Sequence, residues 1–126
     1  MGKLLNYEDV LVMKPSELSK WVINQFVAPL EIPEKLETIE HLKDAAETLA
    51  KINNGRNYID SLLIYISPKV REFKRNASKE EYQDMIDRRN ILQEVTNLLN
   101  KNYEALSRLV TIKKMIDQEM YMNDYM

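Results

Sequence analysis

Between Ser78 and Tyr121 the chain carries neither proline nor glycine. Ser78 and Glu81 stand at capping-box spacing, which predicts a helix start where the two residues satisfy unpaired backbone N–H groups. Beyond them apolar side chains recur three and four residues apart, at Met85, Leu92, Val95, Leu99, Leu106, Leu109, Ile116 and Met120. At 1.5 Å per residue such a helix exceeds ~60 Å, more than a compact domain of this size needs. A rod that long must lie along other helices or project for association.

Composition narrows the remaining choices. With 126 residues, 44% of them hydrophobic, the chain suits one domain or one domain with a projecting arm. Two glycines and four prolines are few for an all-β chain with many tight turns. Zero cysteines exclude a disulfide framework and fit an intracellular protein. A net charge of −2 argues against a highly basic nucleic-acid coat but permits a local basic patch. No apolar run approaches the roughly 20 residues that cross a bilayer, and residues 1–12 do not read as a signal peptide. No membrane contact and a cytoplasmic location are therefore expected. Seven tyrosines against two phenylalanines and one tryptophan point to half-buried rings with hydroxyls near water or a partner.

Along the chain, residues 1–14 read as an N-terminal arm with enough apolar residues, Leu4 to Met13, to dock on the domain. Pro15 opens a first helix, where its missing N–H is harmless, with Leu18, Trp21, Val22 and Phe26 on its buried face. Pro29 and Pro33 close it. A second helix is predicted from Glu34 to Ile52 on a stripe of Leu36, Ile39, Leu42, Ala46 and Leu49, with Asn53, Asn54 and Gly55 as its C-cap. A continuous helix through Gly55 is the alternative. A third apolar segment runs through Tyr58, Leu62, Tyr65, Ile66, Val70 and Phe73, its face widened by Ile59, Leu63 and Ile64, with a kink or break expected at Pro68. Residues 15–77 thus read as a short-helix bundle region, residues 78–122 as a long C-terminal helix and residues 123–126 as a flexible tail. An antiparallel meeting of helices is expected at the turn before Ser78.

Steps of three and four from Met85 pass through Arg88, Asn102 and Lys113, polar groups that a dry two-stranded seam accepts only at a cost. Ile91, Leu98, Tyr103, Val110 and Ile112 widen the apolar surface, so the helix is expected to pack on two neighbours. Asn102 either sets register across an interface or sits hydrated on a flank.

Catalytic patterns are lacking. His41, the one histidine, shares a helix with Glu37, Glu40 and Asp44, but the spacing matches no standard zinc motif. Neither a nucleophile triad nor a glycine-rich phosphate loop is present. Asp84 with Asp87, or Asp117 with Glu119, lack the multi-helix ligand pattern of bundle metal sites. No catalytic residue, metal or cofactor is expected.

The fold class expected is all-α: a helical bundle or helical hairpin with an extended C-terminal helix and possible coiled-coil association. The leading functional expectation is a non-catalytic protein-binding adaptor, assembly factor or regulatory protein, acting as a homo-oligomer such as a dimer or in a hetero-complex. Its anchors are Leu109, Ile112, Ile116 and Met120. The alternative is a DNA- or RNA-associated accessory protein that holds the phosphate backbone with Arg71, Lys74, Arg75 and Lys79 beside the inter-helix turn. Glu72, Glu80 and Glu81 share that neighbourhood and offset its field.

Overall fold

Ala77 and Ser78 are the whole connection between the two longest elements of the chain, α3 (Ile39–Asn76) and α4 (Lys79–Asp124). The computed structural model describes the backbone of residues 4–124 and the side chains of residues 4–119; Met120, Tyr121, Met122, Tyr125 and Met126 fall outside the described side chains. So short a link folds α4 back antiparallel to α3, and the result is an all-α bundle built on a helical hairpin. At the head of α4 the Ser78 hydroxyl accepts from the Glu81 N–H at 3.2 Å and donates to the Glu81 carboxylate at 3.0 Å. At the head of α3 the Thr38 hydroxyl accepts from the His41 N–H, and His41 Nδ1 accepts from the Glu37 N–H, both at 3.1 Å. Both helix starts therefore have side-chain caps for amides that lack intrahelical partners.

The hairpin is held by two matching seams. On α3 the buried positions are Ala45, Thr48, Ile52, Gly55, Ile59, Leu62, Ile66 and Val70. On α4 they include Met85, Arg88, Leu92, Val95, Leu99 and Leu106. Both advance mainly by alternating threes and fours, the 3.5-residue repeat that keeps one stripe facing a partner helix. This corrects the expected face of the second helix. Ile39 and Ala46 are exposed, and Ala45 and Thr48 are buried in their place.

The chain does not stop at Gly55 or at Pro68; α3 is one helix of 38 residues. Gly55 faces inward, where an added Cβ would lie 3.1 Å from Phe26 Cδ1 and 3.5 Å from Leu99 Cδ1. Its role is close approach between elements, not a left-handed cap. Pro68 removes the N–H that would reach the carbonyl of Ile64. Both residues lie on the exposed side of α3, where water can serve that carbonyl.

Two short helices cover one side of the hairpin. In the expected arm, α1 (Tyr7–Val12) buries Val10 completely, and the Tyr58 hydroxyl donates to the Leu5 carbonyl at 2.6 Å. Then α2 (Pro15–Val22) packs mainly on α4, burying Leu18 and Val22. It ends in a widened π turn, Ile23–Val27, closed by the Ala28 N–H on the Ile23 carbonyl at 2.8 Å. That turn carries Phe26 against Gly55, edge-on to Trp21 at 5.7 Å between ring centroids and 5.4 Å from Tyr58.

Arg88 explains how a cation sits in the seam. It is 8% exposed, and its Nε donates to the Met13 carbonyl at 2.8 Å, tying the link between α1 and α2 to α4. Burial pulls its guanidinium below the ordinary arginine value, against the opposing charge of Asp84. Register comes from Arg56, whose Nη1 donates to Asn100 Oδ1 at 3.0 Å while its guanidinium lies 4.2 Å from the centre of the Tyr103 ring. Counting outward from Arg56 and Asn100 sets Ile39 about level with residue 117 of α4, and the helix runs on to Asp124.

Candidate partner-binding face

Toward the open end of the hairpin the chemistry of α4 changes sides. Seven residues after Leu106, the seam position is Lys113, half-buried and bonded to Asp117 Oδ1 at 2.8 Å. Apolar character reappears on the outer flank: Ile112 is 47% exposed, Met115 60% and Ile116 48%. Leu109, between the two faces, is half-buried. The inner seam is thus closed by an ion pair while three large apolar side chains face water.

Of the expected anchors, Ile112 and Ile116 stand together on this flank and Leu109 borders it; Met120 lies outside the described side chains. Met115 was missed, because counting in threes and fours from Met85 passes it by. A second count along the outer flank finds it, at a spacing of three from Ile112. The flank also carries exposed Arg108 and Glu119.

The basic turn lies at the opposite end of the hairpin. Arg71, Lys74, Arg75 and Lys79 are all exposed there, while neighbouring Lys69 pairs with Glu72 at 3.7 Å. Lys74 and Arg75 also occupy the last turn of α3, where cations complement the helix dipole. Arg88, adjoining this cluster in sequence, is turned into the core and takes no part in it.

His41 serves the α3 cap, beside a shallow hollow of about 240 Å³ lined by Glu31, Ile32, Pro33 and Asp44. Among the described residues no group of three or more His, Asp or Glu side chains is placed to hold a metal ion. No helix among them is long and apolar enough to cross a membrane. A more apolar hollow of about 450 Å³ lies between α1 and α3, lined by Tyr7, Ser61, Ile64, Tyr65, Pro68 and Lys69.

Compared with protein-family models, curated proteins and solved structures, the chain matches none of them.

Proposed function

We propose that this chain is a non-catalytic protein-binding module, an adaptor, assembly factor or regulator, that docks another protein on the outer flank of α4. The observation that supports this reading is the exchange of faces near the open end. A helix that needed only its own hairpin would keep its apolar residues on the inner seam, yet Lys113 and Asp117 occupy that line and Ile112, Met115 and Ile116 point away. Exposed apolar clusters rimmed by charge are the usual chemistry of partner contact. Binding strength would come from those anchors, and choice of partner from their shape and the flanking charges.

The test is the double variant Ile112→Asp with Ile116→Asp, compared with wild type by light scattering and by affinity capture with mass spectrometry. Association is expected to fall at least tenfold while far-UV circular dichroism keeps its helical signal. Unchanged association, with itself and with every captured protein, overturns the reading.

A second reading takes the exposed Arg71, Lys74, Arg75 and Lys79 as a phosphate-backbone site for DNA or RNA. It predicts binding that weakens steeply with salt and a shallower salt slope in the triple variant Arg71→Gln, Lys74→Gln, Arg75→Gln. Binding unaffected by salt refutes it.

A further inference from the structure

On the outer flank of α4, Arg108, Ile112, Met115 and Glu119 follow one another at i, i+4, i+7 and i+11, which places them in one narrow stripe. All four are exposed. Read toward the C-terminus the stripe runs cation, apolar, apolar, anion. Read backward it runs anion, apolar, apolar, cation. A pattern that inverts its charges on reversal matches a second copy of itself laid antiparallel.

Resting on the protein-binding reading above, we propose that the partner of this flank is a second copy of the same chain, paired antiparallel about a twofold axis between residues 113 and 114. In that register Arg108 faces the partner's Glu119, Ile112 faces the partner's Met115, and both contacts repeat by symmetry. Leu109 and Ile116, one step around the helix, widen the apolar centre on one side. The interface is isologous and closed, so it yields a dimer and not a filament.

Charge selects this orientation over its reverse. A parallel, in-register pair would set Arg108 beside the partner's Arg108 and Glu119 beside the partner's Glu119, placing like charges at both ends of a small apolar patch. Space permits the antiparallel arrangement. The stripe lies on the far side of α4 from the seam that holds α3, so the two hairpins would extend away from each other and overlap only through the ends of α4. An overlap so short makes a weak dimer governed by concentration.

The test is sedimentation equilibrium of the full chain at low salt, from about 10 µM to several hundred µM, a range that brackets weak association. Wild type is expected to move from monomer toward twice its mass across the series. Ile112→Asp with Met115→Asp should remain monomeric at every concentration, with its circular dichroism unchanged. Arg108→Glu alone and Glu119→Arg alone each set like charges opposite one another at both ends, and should weaken the dimer about tenfold. The double charge reversal, Arg108→Glu with Glu119→Arg, restores opposite charges in the same register and should recover wild-type association.

A wild-type chain that stays monomeric at the highest concentration overturns the proposal. So does a dimer that the double reversal fails to restore. These failures are separable from failure of the broader reading. A monomer that still loses a different captured protein on Ile112→Asp with Ile116→Asp refutes self-pairing alone. Association that survives every one of these changes refutes both.

Discussion

Replacing Tyr58 with phenylalanine should change stability by an amount that depends on pH, and the dependence can be worked from the structure. The Tyr58 hydroxyl donates to the Leu5 carbonyl across the surface where the N-terminal segment meets α3. Burial pushes that hydroxyl from 10.0 up to about 12, with the nearby charge of Asp9 acting in the same direction. In the unfolded chain the proton leaves near pH 10; in the folded chain it stays until about 12. The stability linked to it is present in full below pH 10 and declines as pH rises toward 12, because only the unfolded state then gains by ionising. Two pH units correspond to at most ~2.7 kcal/mol, and the solvent reaching this half-buried ring reduces that to roughly half.

At about pH 8, Tyr58→Phe should therefore cost about 1 kcal/mol, the value of a lost hydrogen bond. At about pH 11.5 the wild type has given up a comparable amount that phenylalanine cannot lose, so the gap should close to about zero or reverse. Urea unfolding of both proteins at the two pH values, followed by circular dichroism, measures the gap. An identical difference at the two pH values would refute the reasoning.

Two further substitutions probe the packing. Gly55→Ala sets a gain of about 1 kcal/mol in helix propensity against a methyl pressed on Phe26, and should be near neutral. Gly55→Leu should cost about 2–3 kcal/mol by urea titration as it drives carbons into Phe26 and Leu99; a neutral result would mean that the π turn yields freely. Arg88→Ala should cost about 3 kcal/mol, since it strands the Met13 carbonyl and opens a cavity. Arg88→Met, which keeps much of the stem, should cost clearly less, and equal losses would show that packing around the stem contributes little.

Helix content was legible in the chain because breakers are rare and their positions informative: Pro15 opens α2, and Ser78 opens α4 through its bonds to Glu81. The antiparallel turn followed from the short polar link before Ser78. What escaped depends on contacts distant in sequence. Gly55 resembles a helix cap until Phe26 is brought against it by the π turn, and no local pattern announces that approach. The inner face of the first half of α3 was misplaced because Ala45 and Thr48 carry little hydrophobic signal, while exposed Ile39 carries much. Thr48 earns its buried place by donating to the Glu31 carbonyl at 3.1 Å. On the candidate face, Ile112 and Ile116 were named from pattern alone. Met115 and the flanking charges emerged only once the inner seam had been located on the helix.

The two-residue link at Ala77–Ser78 also bears on the order in which the molecule assembles. Segments on either side of that link meet at little loop-closure cost, so the seams can close from the link outward. The bonds from Tyr58 to Leu5 and from Arg88 to Met13 span 53 and 75 residues, and each must close a long loop before it contributes. The two long helices are thus expected to zip first, with residues 5–27 settling onto an already formed scaffold.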